Sequence, residues 1–221
     1  MDALEAFYYS KQQDLNFFFE TLKKKKLYDR CSYPQLMALW NNEEIPSLMF
    51  IGQEPNGWGG GESIKELMAE YLNFNLGENY SSPFWEWIWW ISEKLGFKGK
   101  HPFLYTNLQK ISGVDGGPAL EEITNLENSL FGILHEEIQI LNPQVCIFTT
   151  GPNYDKYIKS KFKGVHFNKI QGFTERQMVQ LESPLLPKLS FRIYHPGYLN
   201  RNEELGKKII AKLCEIYSLS Q

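Results

Sequence analysis

No stretch of this sequence approaches the roughly 20 consecutive apolar residues that a bilayer-spanning helix needs, which argues against a helical membrane protein. No secretory signal is expected either. The N-terminus, MDALEAFYYSKQQDL, has acidic residues where a signal has basic ones, and no clean apolar stretch follows. The expectation is a cytoplasmic protein with no membrane partner. Cysteine is scarce: Cys31, Cys146 and Cys214 are odd in number and widely separated, with no C-x-x-C pair and no His at ligand spacing. That excludes a disulfide framework and leaves no basis for a zinc or iron–sulfur centre. A basic excess is also lacking, since the net charge is -3, whereas a large nucleic-acid surface usually makes its domain basic. Repeats, low-complexity linkers and Pro/Gly/Ser-rich boundaries are absent as well. The 221 residues therefore read as one domain, 1–221, with 1–46 as an N-terminal helical extension packed on it.

With 43% hydrophobic residues and 15% aromatics, the chain has ample material for a core and does not read as disordered. Its charge is unevenly spread. Glu43, Glu44, Glu62, Glu66 and Glu70 make an early part acidic, while Lys156, Lys159, Lys161, Lys163 and Lys169 form an almost purely basic stretch. Such a run is either a solvated face or a surface for phosphates.

Four short apolar or β-branched runs read as strands buried on both faces: Leu48–Ile51, Phe103–Thr106, Val145–Thr149 and Phe191–Tyr194. Residues 1–26 read as a helix closed by Lys23–Lys26, whose charges complement the macrodipole. A second helix is expected over Ser82–Leu95, opened by Ser-Pro and stopped at Gly96. A third is expected over Thr124–Leu141, opened by a Thr-x-x-Glu capping box, and a last one after Asn202, burying Leu205, Ile209, Leu213 and Tyr217. Strands alternating with helices predict a three-layer α/β/α fold around a central four-stranded parallel sheet. Ligands of such sheets gather at the carboxyl ends of the strands, which here are Gly52–Gly61, Thr106–Asn107, Thr150–Asn153 and His195–Arg201.

Three of those ends are chemically expressive. In SLMFIGQEPNGWGGG, residues 47–61, a strand runs into a Gly-rich turn holding one carboxylate, Glu54, beside Pro55. The glycines make neither a G-x-G-x-x-G fingerprint nor a P-loop. In HPFLYTNLQK, residues 101–110, Asn107 offers both a donor and an acceptor, suited to a base edge or to a turn. In LSFRIYHPGYLNR, residues 189–201, His195 leaves the last strand, placed to donate to a developing anion or to serve as a structural histidine.

Together these segments resemble the uracil-DNA glycosylase superfamily. Gly52-Gln53-Glu54-Pro55-Asn56 is similar to its first motif, GQDPY, G-x-N-P-G or GEAPG, and His195-Pro196-Gly197-Tyr198-Leu199-Asn200-Arg201 to its second, HPSPLS or HP-x-x-LLR. Tyr105-Thr106-Asn107-Leu108 resembles the strand ending in a base-reading Asn. Asn142-Pro143 and the apolar strand to Gly151 echo a further motif, so the likeness covers about residues 47–217.

The resemblance implies a uracil-DNA glycosylase-like fold and hydrolysis of the N-glycosidic bond of uracil or a related damaged base. The base would be flipped out of single- or double-stranded DNA. It implies an active site split between Gly52–Asn56 and His195–Arg201. Glu54 would hold water or stabilise the cationic sugar, and His195 would stabilise the departing base anion. The base would be bound by Gly52, the backbone N–H of Gln53, Asn56, the Phe84 ring and the Asn107 amide. Gly197 belongs to the DNA-contacting loop, Tyr198 or Leu199 would wedge into the vacated stack, and Arg201 and the 156–169 lysines would lie near phosphates. A monomer without metal or organic cofactor is expected.

Two positions depart from the family. Glu54 stands where it has Asp, Asn or Ala, and Asn56 where an aromatic often excludes thymine's methyl group, a task Trp58 is placed to take over. These departures keep open a second reading, a non-catalytic member that binds nucleic acid or a nucleobase. An unrelated α/β hydrolase ranks lower, for lack of a G-x-S-x-G elbow.

Overall fold

A computed structural model describes residues 1–40, 44–78 and 80–220; Glu43 of the acidic set lies outside them. In chain order the regular elements are α1 (Ala3–Ser10), α2 (Gln12–Lys24), β1 (Leu48–Gly52), α3 (Ile64–Phe74), α4 (Pro83–Lys94) and β2 (Leu104–Asn107). They continue with α5 (Glu121–Leu130), α6 (Leu134–Leu141), β3 (Val145–Phe148), α7 (Asp155–Lys161), β4 (His166–Lys169), β5 (Met178–Glu182), β6 (Leu189–Ile193), α8 (Pro196–Arg201) and α9 (Glu203–Ser218). The chain is α/β, and it builds two compact units from interleaved stretches. One comprises Met1–Ile45, Gln53–Asn75 and Thr106–Leu141; the other comprises Pro46–Gly52, Leu76–Tyr105 and Asn142–Gln221.

The second unit carries the sheet, whose order is β2-β1-β3-β6-β5-β4. Leu48 pairs with Val145 and Val145 with Leu189, so β1, β3 and β6 run parallel. Every residue of β1 and β3 is buried, as their unbroken apolar runs require. β5 lies antiparallel to β6 and β4 antiparallel to β5. The sheet is therefore six-stranded and mixed, which corrects the expected four-stranded parallel one. β4, HFNK, escapes a hydrophobicity reading because it sits at the sheet edge with its side chains largely exposed, and β5, MVQLE, because its short run is broken by Gln180. Short, charged strands suit an edge, where an apolar one would invite pairing with other chains.

α4 starts as its sequence dictates. Ser82 accepts from the backbone N–H of Trp85, and Pro83 occupies the first turn, where its missing N–H costs nothing. α4 packs on α8 and α9. A Cβ at Gly206 of α9 would come within 2.1 Å of the Trp87 ring. Glycine there is what lets the indole lie against the helix backbone.

In the first unit the expected helix over 1–26 is two helices, broken at Lys11, whose φ of -96° and ψ of 5° leave the α conformation. Lys23 and Lys24 do close the second of them. The helix expected over Thr124–Leu141 is also corrected. α5 begins earlier, at Glu121, and ends where Phe131 turns to φ -140° and ψ 37°; α6 begins at Leu134. The Thr124 capping box does not form. Glu127 is fully buried and accepts instead from the backbone N–H of Lys110 at 3.0 Å. A capping box does open α3, where Ser63 and Glu66 bond reciprocally.

A buried polar knot ties this unit together. The Tyr8 hydroxyl of α1 donates to Glu137 of α6 at 2.6 Å and accepts from the Met37 N–H. Lys110, also fully buried, donates to the same Glu137 carboxylate and to the Thr106 hydroxyl. Burial, reinforced by the Glu137 charge, pushes the Tyr8 phenol well above its ordinary range.

Candidate functional site

The two halves of the expected site fall on different units. Gly52 is the buried last residue of β1 in the second unit. Gln53, Glu54, Asn56 and Asn107 belong to the first, and Phe84, His195, Gly197, Tyr198, Leu199 and Arg201 to the second. Each half is described by itself.

In the first unit the turn after β1 is held by backbone bonds. The Gln53 carbonyl accepts from Gln109 N–H at 2.9 Å, and the Trp58 carbonyl accepts from Tyr33 N–H at 3.1 Å. Gly57, at φ 69°, donates its N–H to the Ser112 hydroxyl. That left-handed turn leaves Pro55 buried, Glu54 half-buried and Asn56 exposed. The Asn56 amide lies over Gly116, where a Cβ would come within 2.2 Å of its oxygen. Trp58 is committed elsewhere: its ring meets Phe74 of α3 edge-on at 5.2 Å and lies 6.4 Å from Tyr71.

Asn107 occupies the end of β2, as expected, but is only 1% exposed. Its amide nitrogen donates to the Gln35 side-chain oxygen at 2.7 Å. Sequence reasoning passed over Gln35, which sits in an irregular stretch with no motif around it. It passed over Gln109 as well, although that residue lies two positions beyond Asn107. Both side chains are buried, at 0% and 5% exposure.

In the second unit the chain leaves β6, passes Tyr194 and turns into α8 at Pro196. His195 caps that helix, with Nδ1 accepting from the Gly197 N–H at 3.1 Å. An accepting Nδ1 places the proton of the neutral ring on Nε2. Burial, and secondarily the Arg201 charge, lower the imidazole pKa to about 4. At neutral pH the residue is thus an uncharged Nε2–H donor of fixed tautomer.

The Phe84 ring stands 5.1 Å from the His195 ring at 39°, and meets Tyr105 and Trp85 edge-on. The structure therefore brings together His195 and Phe84, two residues 111 positions apart in the chain.

The rest of the loop divides. Tyr198 is half-exposed and stacks on Tyr194 with centroids 4.1 Å apart. Leu199 is fully buried, which corrects its candidacy as a wedge, since a side chain in the core has no free face to insert between bases. Arg201 is exposed and, with Gln177, Asn200 and Lys208, lines an open cleft of about 790 Å³. Among the lysines, Lys156 lies over the Tyr157 ring and Lys159 over the Phe167 ring.

Among the described residues no group of three or more His, Cys, Asp or Glu is placed to hold a metal ion. Comparison of the chain with protein-family models and with curated proteins finds no match.

Proposed function

We propose that this protein is a monofunctional DNA glycosylase that hydrolyses the N-glycosidic bond of uracil or a related damaged base. The observation that carries the reading is His195, a neutral imidazole locked by Gly197 into the tautomer whose Nε2–H donates. In the proposed reaction the bond between C1′ and the base nitrogen breaks, and the electron pair leaves with the base as an anion. His195 stabilises that anion by hydrogen bonding, which a neutral donor does without surrendering its proton. Phe84 supplies an aromatic face beside it. Water supplies the oxygen that bonds to C1′, and the proton it loses ends on the departing base.

The test incubates stoichiometric protein with single- and double-stranded oligonucleotides carrying uracil, hypoxanthine or xanthine, then cleaves abasic sites with alkali. Strand breaks at the damaged base are expected. His195→Ala should slow them on the order of 100-fold or more, the usual cost of losing one donor to a developing anion. No product with any of the three bases would sink the proposal.

A second reading, binding of nucleic acid or a nucleobase without excision, is favoured by Glu54 and Asn56, which depart from the motif at the positions that set rate and base choice. Tight, salt-sensitive binding with no strand breaks would support it.

A further inference from the structure

The carboxyl edge of the sheet in the second unit gathers segments that lie far apart in the chain. Phe148 pairs with Arg192, Ile193 with Met178 and Val179 with Lys169, so the ends of β3, β6 and β4 and the start of β5 lie side by side. The Arg192 guanidinium, 1% exposed, fastens what adjoins them. It donates to the Asp155 carboxylate at the start of α7, and to the Glu175 and Arg176 carbonyls in the turn before β5. After β3, Gly151 donates its N–H to the Ile193 carbonyl, and a Cβ at Gly151 would lie 3.8 Å from the Tyr194 ring.

Four half-buried tyrosines stand on this edge. Tyr154 and Tyr157 follow β3 with ring centroids 5.3 Å apart, and Tyr194 and Tyr198 follow β6, stacked at 4.1 Å and 24°. Cations accompany both pairs. Lys156 lies over the Tyr157 ring, and Arg201 shares the open cleft beyond Tyr198 with Lys208 and Phe173. The acids of α7 and of the cleft are matched by cations: Arg192 holds Asp155, and Lys207 pairs with both Glu203 and Glu204.

Rings interleaved with cations suit one kind of polymer. Phosphates carry charge in any nucleic acid, but a base offers its flat face to a side chain only where no duplex already stacks it. A parallel tyrosine pair gives such a base a surface on which its stack continues. We infer that the tyrosines after β3 and β6 form a stacking platform for single-stranded nucleic acid, with α7 and the Arg201 cleft taking its phosphates. The platform goes beyond the glycosylase reading, since it needs neither a damaged base nor a bond cleaved. It also gives Tyr198 a part other than a wedge: a ring lying flat on Tyr194 extends a stack rather than parting one.

The experiment follows full-length protein by fluorescence anisotropy with labelled, undamaged oligonucleotides of one length: a DNA single strand, its RNA equivalent, a baseless strand of abasic sites, and a duplex. The wild type should bind a base-bearing single strand on the order of tenfold more tightly than the baseless strand or the duplex. Tyr157→Ala and Tyr198→Ala should each weaken that complex about fivefold or more, the usual cost of one lost stacking ring. The slope of log affinity against log salt should stay unchanged in both, because no phosphate contact is lost. Tyr198→Phe, which keeps the ring, should bind as the wild type does.

Equal binding of base-bearing and baseless strands, or a duplex bound as tightly as a single strand, would overturn the inference on the wild type alone, whatever the variants do. So would unchanged affinity in the folded alanine variants, or a loss in Tyr198→Phe as large as in Tyr198→Ala. Binding of either the DNA or the RNA strand through the tyrosines upholds the platform, and the tighter of the two names its source. The glycosylase reading is judged separately. If damaged bases are excised but single strands are not preferred, only the platform fails. If single strands are held by the tyrosines and no oligonucleotide is cut, only the excision reading fails.

Discussion

At the scale of single residues, His195 makes the firmest demand on experiment. Its imidazole titrates near 4 in the folded chain, against an ordinary value near 6.5. Between those values the unfolded chain binds a proton that the folded chain does not, so folding stability rises with pH across that window. The stability tied to this residue is fully present above about pH 6.5 and is lost as the pH falls towards 4. Urea midpoints measured from pH 4 to 8 should therefore fall more steeply below pH 6.5 in the wild type than in His195→Asn. In the proposed reaction the donor also stays neutral well into acid, so the acid limb of excision attributable to this group should lie near pH 4 rather than 6.5.

Tyr198 and Leu199 separate in the same way. Leu199→Ala should cost about 2–5 kcal/mol of stability by denaturant unfolding, because a buried leucine leaves a cavity. Tyr198→Ala, at a half-exposed ring, should leave stability nearly unchanged while weakening DNA binding in the proposed role. Which of two adjacent apolar residues faces outward is decided by how α8 lies on α4 and α9. A short motif does not carry that information, so the loop was legible in the sequence and the assignment within it was not.

At the scale of elements, local chemistry predicted well where the chain obeys it and failed where tertiary contacts override it. Ser82-Pro83 opens α4 because both signals act within one turn. Thr124-x-x-Glu127 has the letters of a capping box, yet Glu127 is drawn inward to the Lys110 backbone, which lies 17 residues away in sequence and was invisible to a local reading. Lys110 carries no mark of burial in the sequence, but it is buried against Glu137.

That pair supports a sharp prediction. Lys110→Met should lose about 3–5 kcal/mol by chemical denaturation, since it strands a buried carboxylate. Lys110→Met combined with Glu137→Leu should recover much of the loss, because a well-packed apolar pair has no charge to desolvate. If the double variant is no more stable than the single one, the carboxylate is held chiefly by Tyr8 and Thr106 rather than by Lys110.

At the scale of the whole molecule, the parallel strands β1, β3 and β6 were readable because strands buried on both faces are continuous apolar runs. β4 was not, because an edge strand keeps its polar side chains in water, and β5, though mostly buried, breaks its apolar run at Gln180. Charge follows a similar division. Residues 155–169 hold five lysines against one aspartate, Asp155, and that carboxylate is bonded by the buried Arg192 guanidinium. The net charge of -3 therefore conceals a basic stretch running from α7 to β4, carried by a chain that is otherwise acidic. A polyanion that neutralises such a stretch releases counterions, so its affinity falls with salt in proportion to the number of phosphates neutralised.

In the proposed reading, converting Lys156, Lys163 and Lys169 to alanine should flatten the plot of log affinity against log salt. The slope should drop by about 0.7–0.9 for each phosphate left without its lysine. Fluorescence anisotropy with a labelled oligonucleotide measures it. Excision at saturating DNA should stay unchanged, because these lysines are exposed and lie outside the proposed catalytic residues. A slope identical to that of the wild type would assign the basic stretch to solvent and leave Arg201 and its cleft as the surface that meets the backbone.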